Sequence, residues 1–109
     1  MKKSTNNYKN KIIVITGASG QIGRFAVKLF LNLGCLVYGL DIKKNAIKSK
    51  NFIFKKIDIS DANQTAKLFN MIFKKYGKID ILINNAAISY KTPLSKRINL
   101  EIQNTFKVN

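Results

Sequence analysis

Lys11-Ile12-Ile13-Val14-Ile15-Thr16-Gly17-Ala18-Ser19-Gly20-Gln21-Ile22-Gly23 decides how this chain folds. An apolar, β-branched run over Lys11–Thr16 reads as a strand buried on both faces, the pattern of a parallel sheet. Three glycines spaced three apart follow it. From Ile22 the apolar residues fall at Phe25, Ala26, Leu29, Phe30 and Leu33, the spacing of a helix with one buried stripe. Strand, glycine turn and helix in that order give backbone N–H groups and a helix N-terminus facing one point, where a phosphate is stabilised. Gly17 permits the tight turn, Gly20 removes a Cβ where the backbone approaches a pyrophosphate, and Gly23 lets the helix pack close to the sheet. Arg24 adds a cation in the first helical turn.

The same alternation continues downstream. Gly34 ends the first helix as a C′ glycine. Cys35–Leu40 is a second buried strand that ends at Asp41, and residues 42–51 are a basic, polar connection. Phe52–Ile57 is a third strand, placed near a sheet edge by Lys55 and Lys56. Asp61 caps a second helix, with Gln64 as the reciprocal partner; its stripe runs through Thr65, Leu68, Phe69, Ile72, Phe73 and Tyr76 to Gly77. Ile79–Ile83 is a fourth strand leading into Asn84-Asn85-Ala86-Ala87. A loop and a last helical pattern (Leu100, Ile102, Phe106) complete the 109 residues, and residues 1–10 read as a flexible basic tail. Right-handed crossovers place successive strands on one side of the first; with the fourth expected on the other side the order is 3-2-1-4, the beginning of a doubly wound α/β fold.

Composition narrows the function. One cysteine and no histidine leave no disulfide within the chain and no ordinary zinc site. That suits a reducing, cytoplasmic compartment. The apolar run at residues 12–15 is too short for a signal peptide core, and no run approaches a membrane span. Twenty basic against five acidic residues give a net charge of +15. Such a balance invites a nucleic-acid reading. The lysines are scattered along the whole chain without a run longer than two, which favours a general compositional bias over a nucleic-acid surface.

Three further positions join the glycine turn. Asp41 lies 24 residues after Gly17, where a carboxylate accepts hydrogen bonds from the adenosine ribose of a dinucleotide and repels a 2′-phosphate, favouring NAD over NADP. Asp58 ends the third strand on the same rim, where a carboxylate reads an adenine edge. Asn84 to Ala87 end the fourth strand with small residues against which a flat ligand lies, opposite the glycine loop across the switch point.

Taken together, Thr16 to Gly23, Asp41, Asp58 and Asn84-Asn85-Ala86-Ala87 resemble the classical short-chain dehydrogenase/reductases over Lys11 to Asn109. The resemblance implies an NAD-binding Rossmann sheet truncated before its fifth strand, the N-terminal half of an oxidoreductase acting on alcohol, carbonyl or sugar substrates. It implies that Gly17, Ser19, Gly20, Gln21, Ile22 and Gly23 build the pyrophosphate and ribose wall. Asp41 then binds the adenosine ribose, Asp58 and Ile59 hold the adenine, Asn85 and Ala86 line the ribose side, and Asn84 stabilises the sheet. It places the family's catalytic asparagine at Asn109, after Val108. The turn departs from the commonest spacing, in which the middle glycine falls at the position of Gln21.

The catalytic serine and Tyr-x-x-x-Lys pair of the family have no counterpart. Four residues after Tyr8, Tyr38, Tyr76 and Tyr90 stand Ile12, Ile42, Asp80 and Leu94. The resemblance therefore implies a cofactor cradle without its proton donor, and homo-oligomers only for a full-length enzyme. A non-catalytic nucleotide-binding module completed by a partner is the alternative. The fourth strand is expected to show an open apolar edge, a feature that templates aggregation.

Overall fold

The computed structural model describes residues 7–86. Its elements are β1 (Ile12–Thr16), α1 (Gln21–Asn32), β2 (Leu36–Asp41), β3 (Phe52–Lys56), α2 (Ala62–Tyr76) and β4 (Ile81–Asn84). The strands form one parallel sheet in the expected order β3-β2-β1-β4. β1 is central, and all five of its residues are buried.

Side chains alternate across a strand, and the two cores follow that period. Ile13 and Ile15 face α1, packing with Val27, Cys35 and Val37. Ile12 and Val14 face α2, packing with Tyr38, Leu40, Leu68, Phe69 and Ile72. The helices thus cover opposite faces, and the strand ends between them are left to build a site.

α1 is rotated relative to its expected stripe. Gly23 and Val27 are its buried residues, with Ala26, Phe30 and Leu31 packed partly against the core. Ile22, Phe25 and Leu29 are exposed, by 69%, 70% and 45%. Gly23 fixes the rotation: a Cβ there would lie 1.9 Å from the Gly17 carbonyl oxygen. The helix meets the turn along that bare face, and the residues one turn on, rather than the bulkiest ones, go inward. The exit of α1 matches expectation. Gly34 has φ 84°, its N–H donates to the Leu31 carbonyl, and the Cys35 N–H donates to that of Phe30, which is a Schellman motif.

Other boundaries shift for local reasons. The Asp61 carboxylate caps α2 by accepting from the Gln64 N–H. The reciprocal half of the expected capping box is replaced, because the Asp61 N–H donates to the Asp58 carbonyl at 2.8 Å. β4 begins later than expected since Asp80 works as a clasp. Its carboxylate accepts the Ile12 N–H at 2.7 Å, its own N–H donates to the Ile12 carbonyl, and Lys78 and Lys11 flank it at 3.3 and 3.8 Å. The inner end of the tail read over residues 1–10 is tied down: the Tyr8 ring packs edge-on against Phe30, and the Asn10 N–H donates to the Gly34 carbonyl. Ala87, the last helical pattern, Val108 and Asn109 lie outside the described residues.

Candidate functional site

The turn after β1 is held by its neighbours on both sides. Toward β4, Thr16 is fully buried and its hydroxyl makes three bonds. It donates to Asn84 Oδ1 at 2.7 Å and accepts the N–H groups of Asn85 at 2.9 Å and Ala86 at 3.0 Å. That is one donor and two lone pairs, the complete capacity of a hydroxyl. Toward β2, the Ala18 N–H donates to the Leu40 carbonyl, the Ser19 N–H to Asp41 Oδ2 at 2.9 Å, and Ser19 Oγ to the Lys43 carbonyl at 2.9 Å. Gly17 itself has φ 67°, and a Cβ on it would lie 2.8 Å from the Asn85 carbonyl oxygen. The loop after β4 therefore closes on the glycine turn so tightly that only glycine fits.

A cleft of about 290 Å³ opens at these strand ends. Gly17, Gly20, Asp41, Asp58, Ile59, Asn85 and Ala86 all line it, so seven of the residues singled out from sequence converge on one place. Ser19, Gln21, Ile22 and Gly23 are not on its wall. Ser19 is turned to Asp41 and Lys43, Gln21 and Ile22 are exposed on α1, and Gly23 is buried behind the turn. Lys43, which the sequence offers as a flexible lysine able to reach a phosphate beside Asp41, also lines the cleft, as do Leu40, Ile42 and Ile57, which carry no such signal. For Leu40 and Ile57 the available signal is their position beside an aspartate at a strand end. Thr16 was quoted only as part of the turn; its partners stand 68 to 70 residues away, and spacing carries no mark of them.

The charges at the cleft are arranged for a mixed ligand. Asp41 accepts the Ser19 N–H on Oδ2 and the Lys43 N–H on Oδ1. A carboxylate has about four lone-pair sites, so each oxygen keeps acceptor capacity while its orientation is fixed. Asp58 Oδ1 accepts both the N–H and the hydroxyl of Ser60. The two helix starts differ. α2 has the Asp61 cap, whereas α1 begins at Gly20 with no side-chain cap and no acidic residue in its first turn. The positive end of the α1 dipole is thus open to an anion. No cluster suited to a metal ion occurs among the described residues, nor does a helix long and apolar enough to cross a membrane.

The chain is similar to known proteins in sequence and fold. A family model described as short chain dehydrogenase matches residues 11–109. Meso-2,3-butanediol dehydrogenase of Serratia marcescens is 34% identical over 88 residues, covering 74% of this chain and 35% of that protein. A short chain dehydrogenase from Leptospira borgpetersenii, solved with bound NAD+, superposes with a TM-score of 0.82 at 27% identity over 99% of this chain and 50% of its own. ElxO, solved with NADPH bound, gives a TM-score of 0.68 at 27% identity, covering 91% of this chain and 48% of its own. The chain spans between a third and a half of the length of these relatives.

Proposed function

The chain belongs to the short chain dehydrogenase family of oxidoreductases, and from that premise we propose that residues 11–86 bind the adenosine half of NAD. The observation that carries this reading is the convergence of Gly17, Gly20, Asp41, Asp58, Ile59, Asn85 and Ala86 on one cleft at the strand ends. When bound, the dinucleotide supplies the hydride chemistry of the reaction. The chain's own part is binding and orientation. Asp41 offers its remaining lone pairs to the ribose hydroxyls, the uncapped start of α1 receives the pyrophosphate charge, and Asp58 with Ile59 borders the adenine. Thr16 keeps the β4 loop closed on the glycine turn and so fixes the opposite wall. Ser19, Gln21, Ile22 and Gly23 complete the turn beside it.

Matched relatives carry either NAD+ or NADPH. Asp41 favours NAD here, because a second negative charge in contact with a carboxylate is repelled. Lys43 stands on the same wall and softens that repulsion without removing it. In this reading the 109 residues bind without turning over. No tyrosine among them has a lysine four residues on, and a missing general acid alone commonly costs about 10²–10⁴-fold in rate. Asn109 is assigned a catalytic position on the same family grounds, and an alcohol, carbonyl or sugar substrate remains part of the proposal for a longer, oligomeric polypeptide in the cytoplasm.

Titration of the chain with NADH and NADPH, followed by nicotinamide fluorescence and calorimetry, tests the assignment. NADH is expected to saturate a single site and NADPH to bind more weakly. Loss of hydrogen bonds to a charged group predicts that Asp41→Ala weakens NADH by roughly 10- to 100-fold and erases the preference. Equal binding of the two cofactors by the unaltered chain removes the role given to Asp41. Alcohol or sugar oxidation by the isolated chain overturns the claim of binding without turnover.

A further inference from the structure

A second cleft, of about 730 Å³, lies between the outer flank of α1 and the connection 42–51. Arg24, Lys28, Lys44 and Lys48 line it, over a floor that includes Leu31 and Ile47. No residue lines both this cleft and the one at the strand ends. The connection divides them, with Lys43 on one side and Lys44 on the other.

Among the described residues no acidic side chain lines the cleft, and Lys11 and Lys78, the lysines paired with Asp80, lie outside it. Arg24 and Lys28 stand four apart on α1, a spacing at which like charges repel across one helix face. Arg24 also lies in the first turn, at the positive end of the dipole, where a cation is unfavourable. The connection opposite is not loose: Asn45 Nδ2 donates to the Ala18 carbonyl and Asn45 Oδ1 accepts the Ile47 N–H, so Lys44 and Lys48 are carried on a segment anchored to the turn. Ile47 is packed against the core below. Two anchored backbone segments therefore border one cleft with two cations each, and an anion lying between them is paired from both walls.

We propose that this cleft binds a phosphate chain, held by Arg24, Lys28, Lys44 and Lys48, independently of the adenosine site. Among the described residues the lining has no aromatic side chain on which a base would stack, so recognition rests on charge and favours a short oligophosphate over single-stranded nucleic acid.

Calorimetric titration of the full chain with inorganic tripolyphosphate at about 20 mM salt, where exposed charges are little screened, tests this. Binding of one tripolyphosphate per chain is expected, undiminished by saturating NAD. The paired variant Lys28→Glu/Lys48→Glu is expected to weaken it at least about tenfold, given the Coulomb energies of close charges at a protein surface. Lys67→Glu/Lys74→Glu on exposed α2 positions changes net charge equally and is expected to leave it within about twofold. Lys28→Gln/Lys48→Gln, checked for folding by circular dichroism, repeats the test without charge reversal. Adenosine triphosphate distinguishes an inorganic from a nucleotide source of the chain, either of which supports the site when it responds to the Lys28 and Lys48 changes. Equal weakening by both lysine pairs, displacement by NAD, or binding of duplex DNA without binding of tripolyphosphate overturns the proposal.

Discussion

Thr16 joins two segments nearly seventy residues apart through a single oxygen, accepting two backbone N–H groups and donating to Asn84. Thr16→Val keeps the shape but leaves both N–H groups without their acceptor in a partly buried place. Each such loss costs about 1–3 kcal/mol, and partial exposure holds both toward the low end, so a total near 2–4 kcal/mol is expected, read as a fall in Tm of about 10–25 °C for a domain of this size. Thr16→Ser keeps the hydroxyl and is expected to lose less than half as much. Equal melting of the valine variant and the unaltered chain by circular dichroism refutes the hub. Gly23→Ala is harsher in kind, since its Cβ meets a backbone oxygen rather than a movable side chain. Overpacking of that type costs about 1–3 kcal/mol or more and displaces the turn, so NADH binding is expected to fall with stability. At this scale the sequence was legible where chemistry repeats at fixed spacing: the glycines and the aspartates at strand ends. It was not legible where a role depends on a distant partner. Asp41 was read as a ligand contact, and its second role as a clasp on Ser19 emerges only once β2 lies beside the turn.

The elements were legible because their periods differ, with continuous β-branched runs for strands and a three-to-four spacing for helices. The sheet order followed from the crossover rule. The rotation of α1 did not, since eight apolar residues from Ile22 to Leu33 allowed more than one inward face and the choice was made by contact at Gly23. Paired truncations test that rotation by urea melts. Val27→Ala, at a fully buried position, is expected to cost about 1–3 kcal/mol. Phe25→Ala, at a position 70% exposed, is expected to stay within about 0.5 kcal/mol; a larger loss at Phe25 than at Val27 reverses the assignment. The opposite face of the sheet holds a titration prediction. Burial, then the hydrogen bond to Tyr76 and its neighbouring charge, raise the Tyr38 phenol well above the ordinary tyrosine value. A group raised in the folded state stabilises fully below its unfolded pKa and loses that contribution as pH rises toward the folded value. Stability is therefore expected to decline above about pH 10, and Tyr38→Phe to flatten that decline. An unchanged alkaline slope in the variant refutes the assignment.

For the molecule as a whole the dominant fact is charge. Twenty basic residues against five acidic ones leave few opportunities for pairing, and the acids of the described residues are already committed. Asp80 clasps β1 to β4, Asp41 holds the turn, Asp58 binds Ser60, and Asp61 caps α2. The remaining lysines repel one another across the surface, which destabilises the compact state more than the expanded one. The Debye length shrinks from about 10 Å at 0.1 M salt to about 3 Å at 1 M, so added salt is expected to relieve this repulsion at the cost of the two Asp80 pairs, whose lysine ends are exposed. Tm is expected to rise by several degrees, roughly 1 kcal/mol for a domain of this size, between about 20 and 300 mM sodium chloride. Scanning fluorimetry at fixed pH measures it. Sodium chloride and sodium sulfate compared at equal ionic strength separate the two electrostatic effects. General screening makes the curves coincide apart from a modest Hofmeister offset that grows steadily with concentration. Occupation of the cleft between α1 and the 42–51 connection makes sulfate gain more at low concentration and then saturate, and that excess disappears in Lys28→Glu/Lys48→Glu. A Tm that falls with chloride shows instead that the few ion pairs outweigh the repulsion, and the charge excess is then energetically silent in this fold.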